Sequence, residues 1–142
     1  MASKDFQSGL RLLRQLELAL FDFLMHQNGP FASEEALQSF LDNIRKEVAV
    51  VPIAAFNRFQ NSFTHIFGGG YAAGYYSYLW AEVLSADAFS RFTEEGIFNN
   101  EVGQDFLKYI LEKGGSEEAL TLFKKFRGRD PSIDPFLKDN GL

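Results

Sequence analysis

The sequence has no cysteine, and among its 142 residues there are only two histidines, four prolines and one tryptophan. Lack of cysteine excludes disulfides, thiolate metal ligands and catalysis through a sulfur nucleophile, and it suits a reducing compartment. Positive charge is in deficit: 14 Lys and Arg stand against 19 Asp and Glu, a net charge of −5. Nucleic-acid binding is therefore not expected, because neutralising phosphates needs clustered cations. Long hydrophobic runs are missing too. The most apolar stretch, 16–25, contains Glu17 and Asp22 and is far too short to span a bilayer. No signal-peptide pattern follows Met1, and there is no internal repeat, low-complexity tract or linker. These absences leave a soluble globular protein, with neither membrane nor nucleic acid as its partner.

Phenylalanine is what the chain has in excess. Sixteen occur in a sequence that is 46 % hydrophobic, and a side chain with so much apolar area and no polar tip implies extensive packing surface. Some of that surface is expected to suit a neighbour outside the chain. By length the chain forms a single domain, 1–142.

Periodicity predicts helices throughout. Leu10, Leu13, Leu16, Leu20, Phe23 and Leu24 recur at helical spacing over 8–27, with Leu12, Leu18 and Phe21 off the stripe, so this helix is buried on more than one side. Asn28-Gly29-Pro30 ends it. Ser33 caps a second helix whose first turn holds Glu34 and Glu35, and whose apolar face is Leu37, Phe40, Leu41, Ile44 and Val48. Val50 to Ile53 is extended around Pro52, with no second run to pair with it, so no sheet is expected. A short helix over 54–66 and a long one over 73–95, stopped by Gly96, come next. Asn100 is read as the cap of another helix carrying Val102, Phe106, Tyr109 and Ile110 inward to Gly114. Ser116 opens the next, with Leu120, Phe123 and Phe126 on its packing face. Asp134-Pro135 begins a last short helix ended by Gly141. Asp87 and Arg91, four apart, are expected to form a structural pair. The fold class is all-α, an irregular domain of six to seven helices.

The chain is organised around 63–84, where Gly68, Gly69 and Gly70 interrupt an apolar stretch between His65 and a run of tyrosines. On one helix, Tyr71, Tyr75, Tyr78 and Glu82 would share a face, and Tyr76, Trp80 and Val83 would pack on the other. Such a helix is more often core with hydrogen bonds than a ligand site. The glycines are not a phosphate cradle, since no Gly-Lys-Ser/Thr follows and no strand precedes them. His26, near a helix end, is explained by the helix dipole.

The stretch FTHIFGGGYAAGYYSYLWAEVLSADAFSRF resembles the C-terminal signature of the thimet oligopeptidase and oligopeptidase A family of zinc metallopeptidases, with RQLELALFDF and GGSEEALTLFKKFRGRDP fitting the same pattern. Within that family it looks like the bacterial oligopeptidase A branch, and after that like dipeptidyl carboxypeptidase. The likeness covers the whole chain but only the last part of a longer family member. It implies a cytoplasmic, zinc-dependent endopeptidase acting on short peptides. Such an enzyme needs His-Glu-x-x-His on a helix, to bind zinc and activate water. This sequence has His26 and His65 only, neither followed by Glu, so the chain holds no metal and is expected to be inactive alone. The upstream zinc-binding portion would be its partner.

By the same resemblance, His65, Tyr71, Tyr75 and Tyr78 match substrate-side residues facing the zinc. Tyr78 is the first choice for a donor to the oxyanion and Tyr71 the second. His65 would bind substrate backbone or assist near the leaving side, Tyr75 would line the cleft, and Gly68, Gly69 and Gly70 would let the loop close over a peptide. Six positions separate His65 from Tyr71, as in the bacterial branch; the thimet-type branch has five, so the histidine's role carries over less directly. The rival reading is a free-standing helical module that binds a peptide or partner without catalysis. Exposed aromatic surface also makes self-association an expectation.

Overall fold

The computed structural model describes residues 5–142. Among them are seven α-helices and no strand: α1 (Ser8–Asn28), α2 (Glu34–Val48), α3 (Thr64–Phe67), α4 (Ser77–Glu95), α5 (Asn100–Phe106), α6 (Ala119–Arg127) and α7 (Asp134–Asp139). The all-α expectation holds. Contacts divide the chain into two compact units, 1–79 and 80–142.

In the first unit, α1 and α2 enclose the core. Leu18, Phe21 and Met25 of α1 meet Leu41 and Ile44 of α2, joined by Phe63, Ile66 and Tyr75. The α1 face is thus centred on residues predicted off the stripe, whereas Leu10 and Phe23 are largely exposed. Two charges in the apolar run explain the rotation. Glu17 and Asp22 are buried, and each has found partners there, as a buried charge must. Glu17 receives Arg14 at 2.7 Å and Arg45 of α2 at 2.9 Å. The Ser33 hydroxyl accepts the Ala36 amide at 3.2 Å, as its capping position predicts.

The helix expected over 54–66 does not form as one piece. A 3₁₀ turn, Phe59–Ser62, and the single turn of α3 replace it. The Asn57 side chain is the cause. It accepts the Phe59 amide at 3.2 Å and Arg45 Nη2 at 2.8 Å, offering the backbone a local alternative to helix.

In the second unit, Phe92, Phe106 and Phe126 pack with centroids 5.4–6.2 Å apart. Val102, Leu122 and Phe123 are buried as well; Leu120, expected inward, is 38 % exposed, and Leu122 takes its place. Gly96 ends α4 at φ +113, its amide bonded to the Phe92 carbonyl. Asn99, not Asn100, caps α5, accepting the amides of Glu101 and Val102. Likewise Glu118, not Ser116, caps α6 through the amides of Leu120 and Thr121. Pro135 lies in the first turn of α7, but Asp134 is already helical and the cap position belongs to Ile133. Beyond α5 the helix widens into a π-turn, Leu107–Leu111, where the Glu112 amide reaches the Leu107 carbonyl at 2.9 Å.

Asp87 and Arg91 do not pair with each other. Asp87 is fully buried and is held by Arg129, by Arg127 at 3.2 Å and by the Ser132 amide at 2.7 Å. Arg91 turns instead to Glu95 at 2.7 Å and Asp105 at 2.9 Å. The guanidinium forks reach carboxylates brought close by the fold, which spacing along one helix cannot show.

Candidate functional site

The central stretch owes its shape to the way α3 ends. The amides of Gly68 and Gly69 both donate to the Thr64 carbonyl, at 2.8 and 2.9 Å, and that of Tyr71 donates to the His65 carbonyl at 3.1 Å. A Cβ on Gly69 would lie 2.8 Å from the His65 carbonyl oxygen, and Gly70 has φ +78. Those two positions require glycine; Gly68 has room for a side chain.

The tyrosines do not lie along one helix. α4 begins at Ser77, so Tyr71 and Tyr75 stand on a turn and only Tyr78 is helical. The reason is a hydrogen bond from elsewhere in the unit. The Asp22 carboxylate of α1 accepts the Ala73 amide and the Tyr75 amide, each at 2.9 Å. Those amides are thereby withdrawn from helical pairing, and the chain turns by a Gly74 to Tyr71 bond of 2.9 Å. Ala73 adopts φ +53 within this turn.

The turn nevertheless gathers the residues singled out by sequence. The His65 ring lies 6.1 Å from that of Tyr71, 5.8 Å from Tyr75 and 6.3 Å from Tyr78, centroid to centroid. Tyr71 and Tyr78 stack at 5.2 Å, and Tyr75 meets Tyr78 at 5.0 Å. Tyr75 is buried, its hydroxyl donating to Gln15 Oε1 at 3.2 Å. Tyr71 and Tyr78 are 37 % and 39 % exposed, and so, unlike Tyr75, open to a ligand. Tyr76 and Trp80, expected to pack, are both 52 % exposed. Tyr76 falls before α4, so it shares no helical face with Trp80, and its ring meets Phe23 edge-on at 6.3 Å.

The Tyr78 phenol is pushed up from its ordinary value, first by a hydrogen bond with the Tyr71 hydroxyl, then by burial and by the neighbouring phenols. Tyr75 is raised chiefly by burial, against the pull of Arg14 and of its bond to Gln15. Both remain neutral O–H donors near neutral pH. His26 has a structural place: its Nδ1 is 2.8 Å from the Asp22 carbonyl and 3.0 Å from Asp22 Oδ1.

The whole chain, residues 1–142, matches the model of peptidase family M3. The chain belongs to this family. It is 57 % identical to the Escherichia coli protein named Oligopeptidase A and 55 % identical to its Salmonella typhimurium counterpart, in each case over all of this chain and 21 % of the relative. Dipeptidyl carboxypeptidase of Escherichia coli is 39 % identical over 96 % of this chain and 20 % of its own length. The chain thus spans about one fifth of the curated relatives it matches. Family M3 members are peptidases, and the resemblance read from the glycine-tyrosine stretch is confirmed.

Among the described residues, no three His, Cys, Asp or Glu side chains are grouped so as to hold a metal ion. Nor is any helix among them long and apolar enough to cross a membrane. What the site offers is a wall of O–H and N–H donors beside a glycine turn.

Two participants escaped sequence reasoning. Asp22 and Gln15 fix the turn and the buried phenol, yet Asp22 registers in the sequence only as a charge interrupting an apolar run. That interruption was itself the signal, since a carboxylate embedded in a buried helix must be partnered.

Proposed function

We propose that this chain forms the substrate-facing wall of an oligopeptidase A-type peptidase, with short peptides as substrates. Tyr78, assisted by Tyr71, would donate to the carbonyl oxygen of the scissile bond as negative charge develops on it. His65 would hold substrate backbone, and Tyr75 would support Tyr78 from beneath. Gly68, Gly69 and Gly70 would form the turn over which the peptide lies. The observation that carries this reading is the gathering of His65, Tyr71 and Tyr75 around Tyr78, with ring centroids 5.0–6.3 Å from its own. Donors aimed at a developing oxyanion stabilise the transition state more than the ground state.

The nucleophile and the zinc would come from the part of the polypeptide that this chain does not represent, and the working enzyme would be cytoplasmic. That part, or a second copy of the chain, would cover exposed rings such as Phe67 and Tyr76, 60 % and 52 % exposed. In the peptidase polypeptide carrying this chain, Tyr78→Phe should lower kcat by roughly 10²–10³-fold with little change in KM. A variant that kept kcat and changed only KM would move Tyr78 from chemistry to ordinary substrate binding.

A further inference from the structure

We propose that Asp22 is the positioning residue of this site: its buried carboxylate fixes the turn at 73–75 and thereby aims Tyr75 and Tyr78, a role that rests on the substrate-wall reading above.

Asp22 is fully buried, and a carboxylate in that position ordinarily takes a cation as its partner. Here the principal partners are backbone amides. Oδ1 accepts from Ala73 and Oδ2 from Tyr75, so both oxygens are committed to a single turn more than fifty positions downstream. His26 adds a third contact at 3.0 Å, from the same helix as Asp22. Backbone amides are fixed in direction by the chain itself. A carboxylate that binds two of them, two residues apart, therefore dictates the course of the chain between them.

Ala73 supplies an independent sign of that constraint. Its φ of +53 is a left-handed conformation that a non-glycine residue holds only where its surroundings impose it. The bond from its own amide to Asp22 is such an imposition. Tyr75 is then gripped from α1 at both ends, its amide by Asp22 and its hydroxyl by Gln15. Its ring contacts Phe63, His65 and Tyr78 at 5.1, 5.8 and 5.0 Å. Asp22 touches none of the groups that would meet substrate, but the ring that orders them hangs from it.

The test begins with the chain itself. Asp22→Asn preserves size but replaces one acceptor oxygen with an NH₂ group, which cannot receive an amide N–H. Ring-proton resonances of Tyr71, Tyr75, Tyr78 and His65 should shift as the stacked geometry is lost, while far-UV circular dichroism keeps its helical signal. If Asp22→Asn does not fold, Ala73→Val attacks the same turn from outside the core, because a β-branched residue is excluded at that φ. It should give the same shifts with helicity intact. Unmoved ring resonances in a folded variant overturn the proposal.

Kinetics supply the second readout. In the peptidase polypeptide carrying this chain, Asp22→Asn should lower kcat by up to roughly 10²-fold, the scale of an ångström-sized misplacement, and change KM less. In a Tyr78→Phe background the same substitution should cost little more, since the group it aims is already gone. An undiminished loss in that background refutes positioning through Tyr78. If Tyr78→Phe alone leaves kcat intact, the substrate-wall reading fails, and the ring resonances still decide whether Asp22 sets the turn.

Discussion

Each unit contains one fully buried aspartate, and the two are used differently. Asp22 binds backbone amides of a turn, whereas Asp87 binds the guanidinium groups of Arg127 and Arg129 together with the Ser132 amide. Amide ligands specify the conformation of a short stretch of chain. Guanidinium ligands join segments far apart in sequence and neutralise the charge that burial would otherwise penalise. The first arrangement shapes a turn. The second secures the packing of α4 against the chain that leaves α6, and Arg127 extends it to Glu94 at 2.6 Å.

Substitution of the two aspartates should break or sharpen this contrast. Asp87→Ala leaves Arg127, 8 % exposed at its side chain, without its buried counter-charge, and should cost about 3–5 kcal/mol. Asp22→Ala leaves two amides without acceptors, at about 1–3 kcal/mol each. Urea unfolding of both variants, with helicity followed by circular dichroism, measures the two costs, which overlap because two stranded amides together cost about 2–6 kcal/mol. The contrast is read from the rings: Asp22→Ala should shift the Tyr71, Tyr75 and Tyr78 ring-proton resonances, and Asp87→Ala should leave them in place. Equal shifts in both variants would end the division between shaping a turn and securing packing.

Acid should sharpen the contrast further. Burial pushes the Asp87 carboxyl up, but the Arg129 hydrogen bonds, the Ser132 amide and Arg127 together hold it below its ordinary 3.8. A carboxylate with a lowered folded value stabilises the fold fully above its unfolded value, and that stabilisation is lost as pH falls through the folded one. Glu117, between Lys125 and Lys113, is lowered from 4.5 to about 2; solvent screening at this exposed position keeps its contribution to stability small, and that contribution should drain between those two values. A pH series of urea midpoints should therefore fall below pH 4.5 and more steeply below 3.8, and Asp87→Asn should remove the steeper part.

The smallest effects separate two glycines. Gly70, at φ +78, should lose about 1–2 kcal/mol on replacement by alanine. Gly103 lies inside α5 with open space where a Cβ would go, and should gain about 0.5–1 kcal/mol. Thermal unfolding of the two variants should move in opposite directions.

The helices and their class were legible because apolar spacing repeats over many turns; α2 and the Gly96 stop follow that signal closely, and α1 follows it in extent but not in the face it buries. The glycine-tyrosine stretch was legible as a candidate site because its residue types are unusual together. Its geometry was not. Tyr71, Tyr75 and Tyr78 fit helical spacing, and only a carboxylate from α1 diverts the Ala73 and Tyr75 amides from that path. The same limit explains Asp87 and Arg91. Spacing ranks neighbours along one helix, whereas Arg129 and Ser132 reach Asp87 through tertiary folding. Cap positions slipped by one to a few residues where Asn99 and Glu118 competed with adjacent polar residues for the same amides.

The π-turn at Leu107–Leu111 has a bearing on how this chain can vary in length. Its Glu112 to Leu107 bond encloses one residue more than an α-helical turn requires. Loss of a single residue there would return the segment to ordinary α-geometry, whereas the same loss in regular helix rotates every following side chain by about 100° relative to the preceding ones. The turn is thus a built-in slack of one residue, a point where a deletion has somewhere to go.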